Sequence, residues 1–151
     1  MLSQKLILIL SLIFVSVNCF SPVKINYNIF RRLSLKSNMI EITPGVQFDT
    51  IAREWRLKWS ADNDKKSLQS VQQTLTIFER ELSKIPGLKS VQRIVCGGCL
   101  DYKVIVSLSA SEFANWEGKK FQPEEQFINS VKAIPGVSTV ETQTYTIMPV
   151  L

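Results

Sequence analysis

Between Arg53 and Trp59 the chain alternates in character, with Trp55, Leu57 and Trp59 on one side and charges on the other. A period of two belongs to a strand with one buried face. Asp62-Asn-Asp64 supplies helix-start residues. Leu68, Val71, Leu75, Phe78, Leu82 and Ile85 then follow at spacings of 3, 4, 3, 4 and 3. Such a stripe predicts a helix with one buried face, ended by Pro86-Gly87. Val91–Cys96 and Cys99–Leu108 are β-branched runs flanking Gly97-Gly98, and two central glycines suit a tight hairpin turn. Ser109-Ala-Ser-Glu112 can cap a short turn carrying Phe113 and Trp116. A second helix is expected from Pro123, burying Phe127, Ile128, Val131 and Ile134, before a last strand from Val137 to about Met148.

Ile85-Pro-Gly-Leu-Lys-Ser-Val-Gln92 recurs as Ile134-Pro-Gly-Val-Ser-Thr-Val-Glu141. Each copy closes a helix and launches a strand, so the order is β-α-β twice. This resembles the ferredoxin-like split βαβ fold, an α+β class with a four-stranded antiparallel sheet and two helices on one face. The expected domain is 53–151, preceded by a linker over 41–52. Trp55, Leu57, Trp59, Tyr102, Val104 and Val106 must face the helices. Arg56, Lys58, Asp101, Lys103 and one set from Thr142 to Tyr145 take the open face, because unpaired ions under a helix cost several kcal/mol each.

The repeated Ile-Pro-Gly-x-x-x-Val before a strand resembles the ACT and Lrp/AsnC ligand-binding domains and the dimeric α/β-barrel proteins. That resemblance, over about Trp55 to Met148, implies a homodimer and allows a small-molecule ligand; it is evidence of fold more than of function. A face-to-face barrel dimer favours an apolar open face, which the charges oppose. RNA-recognition motifs of this fold stack bases on exposed strand aromatics, but here the aromatics face the helices. Metal chaperones of this fold carry Cys-x-x-Cys before the first helix, where this chain has Ser60-Ala-Asp-Asn-Asp64.

Charge modifies the picture. The net +5 and pI near 9.2 suggest a polyanion partner. Yet residues 1–40 hold five basic side chains and no acid, while residues 41–151 hold thirteen of each. The domain is neutral, and no nucleic-acid partner is expected. Residues 1–19 read as a signal peptide, with Lys5 followed by an apolar run from Leu6 to Val17. That run is shorter than the roughly 20 residues a membrane-spanning helix needs, so no membrane span is expected in the mature form. Residues 20–40, basic and acid-free, have a transit-peptide composition. With Phe20 just after the cleavage point, the pair of segments resembles the bipartite presequence of algae with red-lineage complex plastids. It implies a plastid address, stromal or thylakoid-associated, reached through the secretory pathway, with Phe20 as the targeting residue. Secretion is the alternative.

The chain contains no histidine, which excludes Ser-His-Asp and Cys-His catalysis and His-ligated haem. No metal site or cofactor is expected. Cys96-Gly-Gly-Cys99 carries chemical potential: facing each other across a two-residue turn, the cysteines would stand about 5.5 Å apart at Cα, within disulfide reach. Inert thiols, a redox switch, and metal shared between two chains all remain open. Trp116, Lys119, Lys120 and Phe121 form a candidate binding loop, unless the aromatics fold back on the core. The expected function is a non-enzymatic plastid binding or assembly module associated with a photosynthetic or other plastid complex. The alternatives are a cofactor-free enzyme or ligand sensor of the dimeric α/β-barrel type, with Tyr102 or Asp101 in a pocket, and a redox regulator through Cys96 and Cys99.

Overall fold

The computed structural model describes residues 39–151. The signal peptide, most of the transit segment and Phe20 lie outside the described residues. A small hairpin, β1 (Ile40–Thr43) and β2 (Val46–Phe48), leads into β3 (Thr50–Lys58). Residues 41–52, expected as a linker, therefore hold two short strands and the start of a third. There follow α1 (Asp62–Leu82), β4 (Leu88–Cys96), β5 (Asp101–Ser109), α2 (Ala110–Gly118), α3 (Glu124–Lys132) and β6 (Ser138–Ile147). The main sheet has the order β4-β5-β3-β6 with every pair antiparallel. This is the ferredoxin-like α+β architecture, with the helices on one face.

Periodicity explains the core. Trp55, Leu57 and Trp59 are buried with Tyr102, Val104 and Val106 under the helices. The helix stripe meets them, Val71, Leu75 and Leu82 being buried and Leu68 and Phe78 partly so. Phe127 of α3 stacks on Trp55 at 4.8 Å and takes Phe78 on its edge at 5.7 Å. Such aromatic contacts contribute about 0.5–1.5 kcal/mol beyond burial. Ring-to-ring packing thus ties both helices to the central strand.

The two Pro-Gly turns do the same work. Gly87 and Gly136 have φ of 73° and 86°, the left-handed conformation that commonly ends helices. The Ser109-to-Glu112 segment differs from expectation. It opens a nine-residue helix, and Ser109 makes no side-chain cap bond. Instead the Ser109 N–H donates to the Gly87 carbonyl at 3.0 Å. At the start of α1, Asn63, Asp64 and Lys65 have φ of 50°, 53° and 60°. Asn and Asp tolerate that region better than other side chains, and the regular right-handed winding follows Lys65.

Candidate functional site on the open sheet face

Pairing register sets the open face. Glu54, Arg56 and Lys58 of β3 stand beside Asp101 and Lys103 of β5 and Glu141, Gln143 and Tyr145 of β6. Arg56 donates through Nε to Glu141 Oε2 at 2.8 Å. Lys58 Nζ lies 2.6 Å from Asp101 Oδ1, and that hydrogen bond holds the Asp101 carboxyl below its usual range. Hydrogen bonding to Glu141 likewise raises the Arg56 guanidinium. The charged set expected on this face is there, and its members pair with one another.

At its centre is a group that sequence reasoning passed over. Glu54 is 3% exposed although it points away from the helices. Its Oε1 accepts from Gln143 Nε2 at 3.1 Å and lies 3.4 Å from Lys103 Nζ. Its Oε2 accepts from the Tyr145 hydroxyl at 3.0 Å. A carboxylate withdrawn from water this far costs several kcal/mol unless donors surround it. Here flanking strands on both sides supply them. Burial first, and then the bond to Glu54, push the Tyr145 hydroxyl up to about 12, so it remains a proton donor at neutral pH.

A cavity of about 190 Å³ opens further along the same strands, lined by Arg56, Leu57, Lys58, Asp101, Thr139 and Glu141 and by none of Glu54, Lys103, Gln143 or Tyr145. The β3–β6 register shifts between Arg56 and Lys58, and Thr139 in that shift has φ of 49°. Positive φ at a β-branched residue is strained, and irregularities of this kind gather beside functional sites. A larger cavity of about 360 Å³ opens by Ser60, Lys66, Ser67 and Gly136. There the buried Ser67 hydroxyl already accepts from the Ser60 N–H at 2.9 Å. A third, of about 160 Å³, lies between Lys84, Glu112, Trp116 and Lys119. None of these three is lined by Tyr102.

Tyr102 is buried, donates to Gln72 Oε1 at 3.0 Å, and is pushed up by burial to about 12. Arg93 donates to the same Gln72 oxygen at 2.7 Å. Tyr102 therefore ties α1 to the sheet, and Asp101 stands instead on the open face.

Arg53 departs from the alternation read in sequence. It shares the helix-covered face with Trp55 and donates to Glu124 through Nε at 2.6 Å and Nη2 at 2.8 Å. Its guanidinium also lies 4.3 Å over the Phe121 ring. Trp55 Nε1 donates to Glu124 Oε2 at 2.7 Å. Glu124, in the first turn of α3, is thus what anchors that helix to the sheet.

In the candidate loop, Trp116 is buried, donates to the Gln122 carbonyl at 2.7 Å and meets Phe121 edge-on at 5.2 Å. Lys119 and Lys120 are exposed. The aromatics turn inward and the lysines do not join them.

Cys96 and Cys99 are joined by a disulfide with Cα atoms 5.5 Å apart. The turn is not the expected two-residue one. Cys96 pairs with Asp101, so four residues make the loop, and Leu100 rather than a central glycine carries the positive φ, 57°. Among the described residues no group of three or more metal-ligating side chains is assembled. No described helix is long and apolar enough to cross a membrane.

No protein-family model matches this sequence, and no curated protein does. Solved structures do resemble it. A monooxygenase of Streptomyces coelicolor, in complex with nanaomycin D, shares 11% identity at a TM-score of 0.52, covering 69% of this chain and 91% of that one. A Deinococcus radiodurans protein ascribed to antibiotic-biosynthesis monooxygenases shares 12% at 0.50, covering 67% and 95%. At such identities the likeness is one of fold. It corrects the expectation of a non-enzymatic binding or assembly module, since these two neighbours of the same architecture are described as monooxygenases.

Proposed function

We propose that the chain is a small enzyme acting through its own side chains, without metal or organic cofactor, on an organic substrate laid against the open sheet face. The observation that carries this is Glu54, an enclosed carboxylate that accepts a hydrogen bond from the half-buried Tyr145 hydroxyl on that face. An acidic proton of the substrate passes to the Tyr145 oxygen as that hydroxyl passes its own to Glu54. Lys103 and Gln143 steady the carboxylate. Arg56 and Lys58, on the cavity wall, favour the anion that results.

The two monooxygenases of the same fold support oxygen as the second reactant. A carbanion can give electrons to O₂ directly: a C–H₂ group becomes C=O, one oxygen atom is retained and the other leaves as water. At about 190 Å³ the cavity is below the roughly 300 Å³ of a full ligand pocket, so it holds one end of the substrate.

Oxygen uptake with a panel of hydroxylated polycyclic aromatics, in the presence of a chelator, tests the reading. Wild-type protein is expected to turn over at least one of them. Glu54→Gln and Tyr145→Phe should each lower kcat by about 10²–10⁴-fold, the usual contribution of general acid–base catalysis. Unchanged turnover in both folded variants, or no uptake with any compound, removes the proposal.

We also propose that residues 1–40 are a plastid address, supported by their acid-free composition and Phe20. Fused to a fluorescent reporter in a diatom, they should deliver it to the plastid, and Phe20→Ala should divert it. Secretion of both forms would show the address to be wrong.

A further inference from the structure

We infer that Cys96–Cys99 is a redox-active disulfide that exchanges with an external dithiol, and that its two sulfurs have different roles. The inference does not depend on the open-face enzyme being right, although Asp101 and Lys58 also border its cavity.

The surroundings of the two sulfurs are unequal. Cys99 is exposed and Cys96 is half-buried, so an incoming thiolate meets Cys99 Sγ first. The backbone N–H of Cys99 donates to Cys96 Sγ at 3.1 Å. Asp101 Oδ2 lies 3.4 Å from Cys99 Sγ. Lys58 holds this carboxylate in its charged form through Oδ1, and the same ammonium donates to the Cys99 carbonyl at 2.8 Å. Negative charge left on Cys96 is met by an N–H dipole, whereas negative charge on Cys99 faces a carboxylate. Thiolates are stabilised by donors and cations and opposed by anions, and a better-stabilised thiolate is the better leaving group in exchange.

The chemistry follows in two balanced steps. One thiolate of the dithiol attacks Cys99 Sγ and forms a mixed disulfide. The Cys96–Cys99 bond breaks and its electron pair stays on Cys96 Sγ as thiolate. The dithiol's second sulfur, as thiolate, then attacks its own partner sulfur in the mixed disulfide. That closes the reagent's disulfide and releases Cys99, which takes up a proton and donates its S–H toward Asp101. In sum the dithiol gives up two electrons and two protons; the protein pair gains both electrons and, while Cys96 stays thiolate, one proton, the other going to solvent. In the oxidising direction Cys96 is the attacking thiolate and Cys99 carries the mixed disulfide.

The test uses the full chain carrying Cys19→Ser, so that only the pair reports. Folded protein is equilibrated in dithiothreitol redox buffers, the thiols are capped, and the opened fraction is read by mass while circular dichroism follows the fold. The pair should open and close reversibly with the fold retained. Reaction with neutral dithiodipyridine then separates the sulfurs. Cys99→Ser, which leaves Cys96, should react about two- to threefold faster than Cys96→Ser, since one unit charge near contact in water shifts thiol acidity by about 1 kcal/mol and about half of that shift reaches the rate. Asp101→Asn added to Cys96→Ser should recover most of that difference. A pair that opens only after denaturation, thiols that never close in air, or equal or reversed rates in the two variants would overturn the inference.

Discussion

Gly87 and Gly136 occupy matching places in the repeated Ile-Pro-Gly turn, and their surroundings differ. A Cβ on Gly87 would meet the Glu112 Cβ at 2.4 Å, whereas one on Gly136 would meet the Ser60 Cβ at 3.2 Å. Both positions impose the left-handed penalty of about 1–2 kcal/mol. Only Gly87→Ala also forces α2 aside, which adds about 1–3 kcal/mol of overpacking. Gly87→Ala should therefore destabilise more than Gly136→Ala by about 2 kcal/mol in denaturant titration, and equal losses would contradict the packing described. That each Pro-Gly closes a helix was legible from its place after a helical stripe. The overlap with Glu112 was not, since it depends on where a later helix comes to rest.

The anchoring of α3 to the sheet runs through one carboxylate. Glu124 receives three hydrogen bonds, two from Arg53 and one from Trp55, and both ends of the ion pair are 15% exposed. Removing one member of an enclosed pair leaves the other charge without compensation, at a typical cost of about 3–5 kcal/mol. Glu124→Ala is expected to lower stability by about 3 kcal/mol, with altered tryptophan fluorescence as the Trp55 indole loses its acceptor. A loss below about 1 kcal/mol, the range of exposed pairs, would show the pair to be solvated. Sequence showed the helix but not this bond, because the partners stand 71 residues apart. Arg53 also breaks the simple alternation by sharing the aromatic face. A cation is tolerated there because a carboxylate, two threonine hydroxyls and the Phe121 ring surround it.

Taken as a body, the domain holds two tyrosines on opposite faces of one sheet, each raised to about 12 mainly by burial. A group whose folded value exceeds its unfolded value near 10 stabilises the fold fully below that lower value. The contribution is lost as pH rises through the folded value. Stability should thus fall between about pH 10 and about 12 as the unfolded chain ionises first. Tyr145→Phe should flatten part of that fall and Tyr102→Phe another part, measured by urea titration at stepped pH. A slope unchanged in both variants would mean that the fall has another origin.

What the sequence alone determined is the part that local rules govern. Period two and period 3.6–type spacing assigned strands, helices and buried faces, and the repeated Pro-Gly turn set the order of elements, because each signal lies within a dozen residues. It also located the excess positive charge in the first 40 residues and left a neutral domain. The tertiary structure decided the chemistry. Glu54 looks like any other charge in an alternating strand. It becomes a site only because β6, some 90 residues later, lays Gln143 and Tyr145 beside it while β5 brings Lys103 from the other side. A carboxylate's burial and partners are properties of that packing, and the spacing of residues along a single strand carries no record of them.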